Sequence, residues 1–151
     1  MIGNTRIRRA TNKDLPEIYR IELEVFGDDA WHPIALGFFL HLDTARFLVY
    51  DASEIIGYAI GIVEKGGFGH VLNIAVRKDY RRKRVGALLL SRLEAELKSL
   101  GAITFYLEVR ADNYNAIRFY KENIYKINGV KKKYYRDGMD ALVMVKELAL
   151  S

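Results

Sequence analysis

RKDYRRKRVGALLL, residues 77–90, joins a run of positive charge directly to an apolar helical pattern. Residues 77–84 hold six basic residues and one acidic residue, a net charge of +5. The whole chain holds 24 basic and 19 acidic residues, so 18 of each remain outside this segment. The excess positive charge of the protein is therefore one local feature, which we call the basic cluster (residues 77–84).

The position of the basic cluster favours a bound anion over a merely solvated turn. Leucines recur at helical spacing from Val85 to Leu100, so the cluster lies at a helix N-terminus. That end of a helix carries partial positive charge, and each cation placed there costs about 0.3–1 kcal/mol. Nucleic acid or a phosphorylated cofactor would relieve the repulsion. The balanced charge elsewhere counts against nucleic acid, but the residue types alone leave both partners open.

Composition limits the remaining function classes. A chain of 151 residues with ordinary globular composition is expected to form one domain, residues 1–151, as a monomer or a weak dimer. The absence of cysteine excludes disulfides, cysteine nucleophiles and thiolate metal sites. The histidines lack metal-ligand spacing, so no metal is expected. Neither a signal peptide nor a membrane span is recognisable, so we expect a cytoplasmic protein without a membrane partner.

Hydrophobic periodicity predicts an α/β (α+β) fold with about seven strands and about four helices. One central β-α-β unit interrupts a mostly antiparallel, mixed sheet. Predicted strands cover 5–10, 46–50, 55–63, 70–76 and 103–109, and two more surround a turn at 136–140. Predicted helices cover 11–26, 33–42, 85–100 and 112–122.

The basic cluster resembles the pyrophosphate loop of the GNAT superfamily of acetyl-CoA-dependent N-acetyltransferases, Gln/Arg-x-x-Gly-x-Gly/Ala. RRKRVG, residues 81–86, matches it except that Arg84 stands at the first glycine. Four further stretches are similar in order and spacing to RimI-like and archaeal protein N-terminal acetyltransferases: NIAV at 73–76, LEVRADN at 107–113, AIRFY at 116–120 and YYRDGMDALVM at 134–144. The usual Leu-Gly-Phe ending is missing from YKENIY, residues 120–125.

The resemblance implies acetyl-CoA as co-substrate and no metal. It implies a GNAT fold in which the fourth strand and the following loop hold the cofactor. The implied cofactor-binding residues are Ile74, Ala75, Val76, Arg81, Arg82, Lys83, Arg84, Val85, Gly86, Ala87, Asn113 and Tyr120. Without the resemblance, the strand residues are plain core and Asn113 is a helix N-cap.

The resemblance also implies catalytic roles. Glu108, a carboxylate on the apolar strand FYLEV, is the implied general base, and we expect partial burial to raise its pKa. Tyr120 is the implied acid for the departing thiolate, and His70 is a second candidate base. From residue types alone, Glu108 is equally explained by pairing with Arg110, Tyr120 by core packing, and His70 as an ordinary strand-end histidine.

Tyr134, Tyr135 and Asp28, with its neighbour Asp29, are the candidate substrate-binding residues. In similar enzymes such paired tyrosines hold the backbone of a substrate's first residues. The resemblance therefore implies transfer of acetyl to the α-amino group of a protein or peptide N-terminus. Three alternatives stay open at this point: a lysine or small-amine acceptor, a silent CoA sensor, and a nucleic-acid-binding protein.

Overall fold

The computed structural model describes residues 6–147, which form one seven-stranded sheet with helices on both faces. The strands are β1 (Ile7–Arg9), β2 (Ala45–Asp51), β3 (Ile55–Glu64), β4 (Phe68–Val76), β5 (Thr104–Arg110), β6 (Lys126–Lys131) and β7 (Ala141–Glu147). The helices are α1 (Leu15–Phe26), α2 (Pro33–Leu40), α3 (Val85–Ser99) and α4 (Tyr114–Glu122). None of them, within the described residues, is long and apolar enough to cross a membrane.

The strand order is β1-β2-β3-β4-β5-β7-β6, and every neighbouring pair is antiparallel except β4 and β5. This arrangement confirms the predicted fold class, including the single β-α-β unit made by β4, α3 and β5. Tyr134 and Tyr135 lie between the last two strands, in the β6–β7 loop.

Each face of the sheet carries its own apolar core. On one face the predicted leucine stripe of α3 packs on the sheet, with Leu89, Leu93 and Leu97 fully buried. On the other face α1 and α2 pack against β2 and β3 through residues such as Ile18 and Leu36. The α3-face core continues through β5 to Met144 of β7, whereas the other core ends at Ala75 of β4.

The two parallel strands pair over only three residues. Phe68–His70 of β4 pairs with residues 104–106 of β5, after which the strands separate. Beyond His70, β4 pairs only with β3, and the second half of β5 pairs only with β7. The edge of residues 71–76 that faces β5 thus has backbone amides and carbonyls without a strand partner. We call this unpaired edge of β4, residues 71–76, the open edge.

A β-bulge at Leu72 changes which side chains of β4 share a face. Ile60 pairs with Asn73 and Gly61 pairs with Val71, which leaves Leu72 as the extra residue. Side chains alternate along a regular strand, so without the bulge His70 and Asn73 would point to opposite faces. With it, both lie on the α1 face of the sheet, beside the open edge.

Candidate active site

The N-terminus of α3 combines unpaired backbone amides with exposed cations. Arg84 is the N-cap residue, its side chain accepts no hydrogen bond from the amides of the first turn, and these amides have no partner within the helix. The side chains of the RRKR segment, residues 81–84, are all exposed. This end of α3 therefore suits a phosphorylated group, whose oxygens accept from the amides and pair with the cations.

Two arginines of the same loop adopt the left-handed backbone conformation. Arg82 has φ 62° and Arg84 has φ 65°, a region that glycine enters without steric cost. This conformation explains why the pyrophosphate-loop motif usually has glycine at the position of Arg84. Arg84 adopts the same conformation at some cost in backbone strain. Gly86 is needed for a different reason, because a Cβ there would lie 3.3 Å from the Phe119 ring and 3.7 Å from Val76.

Glu108 lies on β5 where the strands separate, and its side chain is only 8% exposed. Its Oε1 is 2.7 Å from Nε2 of His70, and its Oε2 accepts from Nζ of Lys131 at 2.7 Å. Arg110, the alternative partner, instead pairs with Asp29, Asp112 and Asp137. The structure thus brings Glu108 and His70 together and gives the carboxylate a cation that sequence reasoning missed.

The expected rise in the pKa of Glu108 is wrong for this state of the protein. Burial does act to raise that pKa, but the hydrogen bonds and charges of His70 and Lys131 outweigh it. Together they lower the pKa of Glu108 to about 2. Glu108 is therefore a carboxylate already supplied with two cationic partners, and an incoming amine must compete for it.

His70 lies between two carboxylates. Its Nδ1 is 3.0 Å from Oε2 of Glu64 and its ring stacks on Tyr106, whose hydroxyl donates to the same Glu64. Burial acts to lower the pKa of His70, but the contacts with Glu108 and Glu64 reverse this and the pKa is raised. A neutral imidazole donates from only one nitrogen, so two carboxylate partners favour the charged ring.

Residues 9–123 match the acetyltransferase (GNAT) family, which covers most of the chain and all the elements from β2 to α4. The chain belongs to the GNAT family. It is 31% identical over 157 residues to an N-alpha-acetyltransferase of Saccharolobus solfataricus, an alignment that covers 94% of this chain and 92% of the relative. The predicted family and the predicted enzyme class, an N-acetyltransferase, are confirmed.

Solved structures share this GNAT architecture. The crystal structure of Ard1 from Thermoplasma volcanium has a TM-score of 0.86 at 26% identity and covers 95% of this chain and 97% of its own. The ribosomal-protein-S18-alanine N-acetyltransferase from Escherichia coli has a TM-score of 0.84 at 28% identity, with 96% and 94% covered.

Two predicted site residues of this GNAT chain lie at the start and the buried side of α4. Asn113 caps the helix, and its Oδ1 accepts from the amide of Ala116 at 3.1 Å. Tyr120 packs edge-on against Phe119 and Tyr125, and burial raises the pKa of its phenol. Asn113 thus caps the helix and Tyr120 packs in the core, as their residue types alone indicate. The cofactor contact of Asn113 and the acid role of Tyr120 stay predictions.

The candidate substrate residues gather around Arg110. Its guanidinium lies 4.9 Å from the Tyr135 ring centre and joins Asp137 of the β6–β7 loop to Asp29 of the α1–α2 loop. Tyr134 packs edge-on against Tyr135. Asp28 has no hydrogen bond or ion pair to other described residues, so Asp29 is the acid that connects the two loops.

Sequence reasoning also missed a buried acid on α1. Glu22 is fully buried, and it accepts from the hydroxyl of Tyr58, from Asn73 at 2.8 Å and from the amide of Trp31 at 2.8 Å. Burial raises the pKa of Glu22. Its position one helical turn after Ile18, on the apolar face of α1, was the available signal.

Proposed function

We propose that this enzyme transfers the acetyl group of acetyl-CoA to the α-amino group at a protein or peptide N-terminus. The observation that carries the proposal is the open edge of β4, which lies between the basic N-terminal end of α3 at one side and Glu108 at the other. Two of the relatives, the N-alpha-acetyltransferase and the S18-alanine N-acetyltransferase, have names that give an α-amine as acceptor, and they support this choice.

The open edge offers hydrogen-bonding groups that suit acetyl-CoA. The pantetheine arm carries amide groups, and Ile74 and Val76 offer it the backbone groups of β4 that point away from β3, whereas the backbone of Ala75 faces Tyr58 of β3. The pyrophosphate then reaches the amides at the start of α3 and the cations of residues 81–84. Replacing Arg82 and Lys83 together by alanine should therefore raise the KM for acetyl-CoA far more than the KM for the peptide.

The acceptor side needs only a modest base. An α-amine has a pKa near 7.7–8.0, so roughly a tenth is neutral at pH 7, against about one lysine in a few thousand. The neutral nitrogen attacks the thioester carbon, the C–N bond forms and the C–S bond breaks. Glu108 receives the proton that the nitrogen loses, and Tyr120 donates a proton to the departing thiolate.

The test is a transfer assay with acetyl-CoA and short peptides that carry an internal lysine. Peptides with a free N-terminus should be acetylated at the α-amine, and the same peptides with a blocked N-terminus should not react at a comparable rate. Preferential modification of the internal lysine or of small amines would refute the acceptor assignment. No transfer to any amine, despite tight CoA binding, would favour a sensor.

Glu108→Gln tests the base in the same assay. General-base catalysis contributes about 10²–10⁴-fold, so turnover should fall towards that range while the affinity for acetyl-CoA stays nearly constant. Glu122→Gln is the matched control, because Glu122 is an exposed carboxylate at the end of α4. Equal turnover in Glu108→Gln and the wild type would remove Glu108 from the mechanism.

A further inference from the structure

Lys131 reaches Glu108 because of how three strands align. Glu108 of β5 pairs with Val143 of β7, which in turn pairs with Gly129 of β6. Lys131 is two residues beyond Gly129 and so shares the same face of the sheet. Gly129 has no side chain to block the path, and Nζ of Lys131 reaches Oε2 of Glu108 at 2.7 Å.

Only one lysine of the KKK run makes this contact. Lys132 is 80% exposed, and its Nζ lies 3.3 Å from Asp140. The amide of Lys133 bonds the same Asp140, and its side chain is exposed. Lys131 is about half exposed and can move, and its Nζ also lies 5.4 Å from the Tyr134 ring centre.

The amine of Lys131 therefore makes with Glu108 the contact that the acceptor amine makes with the base in the proposed reaction. A primary amine beside the proposed base differs from a peptide acceptor chiefly in being tethered. Tethering a reacting group in the right geometry is worth effective concentrations of up to about 10⁵–10⁸ M. Even a fraction of that advantage offsets the scarcity of neutral lysine at pH 7.

We propose that Lys131 is a self-acetylation site of this enzyme, an inference that rests on the proposed function. The neutral Nζ of Lys131 attacks the thioester carbon of acetyl-CoA, the new C–N bond forms and the C–S bond breaks. Glu108 takes the proton from the nitrogen, and the CoA thiolate is protonated to the thiol. The product is an Nε-acetylated Lys131, which has lost the charge that pairs with Glu108.

The test follows labelling of the three neighbouring lysines in one reaction. The full chain is incubated with acetyl-CoA that carries a deuterated acetyl group, cleaved with a protease that does not cut at lysine, and analysed by tandem mass spectrometry. Lys132 and Lys133 report the uncatalysed background of exposed lysines. Lys131 should be labelled at least about tenfold faster than either, a conservative share of the tethering advantage.

Three further measurements separate self-acetylation from simple reactivity. The first-order rate constant for Lys131 should not change when the protein is diluted, and an excess of acceptor peptide should slow it by competition for Glu108. Glu108→Gln should reduce labelling of Lys131 to the rate of Lys132, whereas Lys132→Arg should leave it unchanged. Between pH 7 and 9 the rate should rise roughly tenfold per unit, as the neutral fraction of lysine does.

The outcomes distinguish this inference from the function it rests on. If peptides are acetylated at their N-termini but Lys131 is labelled no faster than Lys132, self-acetylation is overturned and the function stands. A rate constant that increases with protein concentration would likewise overturn transfer within one molecule. If Lys131 is labelled rapidly and no peptide reacts, the inference stands and the acceptor assignment fails.

Discussion

Arg84→Gly should stabilise this protein, although it removes one positive charge from the basic cluster. Arg84 has φ 65° and ψ 10°, a left-handed conformation that costs a side-chain-bearing residue about 1–2 kcal/mol. Glycine removes that strain but loses more entropy on folding, roughly 0.5–1 kcal/mol. The difference leaves a net gain in the free energy of unfolding of about 0.5–1 kcal/mol.

Arg81→Gly is the matched control, because it removes the same charge three residues earlier. Arg81 has φ −71° and ψ 158°, an ordinary extended conformation, so glycine there brings only its entropic cost of about 0.5–1 kcal/mol. Urea unfolding of both variants without CoA, followed by circular dichroism, should separate them by about 1–2 kcal/mol. Equal destabilisation by the two substitutions would show that the strain at Arg84 is not real.

Two further substitutions test the site and its frame. Lys131→Met should raise the pKa of Glu108 by about one unit or more, because the carboxylate loses a cationic partner while its burial remains. The titration of the Glu108 carboxyl group can be followed by NMR. An unchanged pKa would contradict the contact with Lys131. Gly69→Ala should destabilise by about 1–3 kcal/mol, since the new Cβ would lie 2.5 Å from the buried Phe105 ring. Gly129→Ala, whose Cβ meets nothing within 4 Å, should be nearly neutral by comparison in the same urea titration.

The fold could be predicted from the sequence because its signals are local. The leucine stripe of α3 and the stop at Gly101, which has φ 109°, place that helix to within a residue. Where the local signals were mixed, the observed boundaries of the elements differ from the predicted ones. The first helix was expected to begin near Thr11, but Asn12–Asp14 forms a separate 3₁₀ turn closed by hydrogen bonds between Thr11 and Asp14.

The site could be predicted only where one segment carries the whole feature. The basic cluster lies within a few residues, so its charge and spacing are visible in the sequence. The contact between Glu108 and Lys131 joins residues 23 apart on non-adjacent strands, and it depends on the register of β7 between them. Periodicity does not fix that register, so Lys131 was missed and the direction of the pKa shift of Glu108 was wrong.

The charge state of His70 links the observed geometry to the dependence of the reaction on pH. While the ring is protonated, it lowers the pKa of Glu108 and weakens the carboxylate as a proton acceptor. As the pH rises through the raised pKa of His70, the ring loses its charge and Glu108 becomes the stronger base. The neutral fraction of an α-amine also increases as the pH rises towards its pKa of about 7.7–8.0. If Glu108 is the base, as proposed, a rise in pH therefore favours both the neutral acceptor and the stronger base, although the pKa of Glu108 is about 2 while His70 and Lys131 are charged.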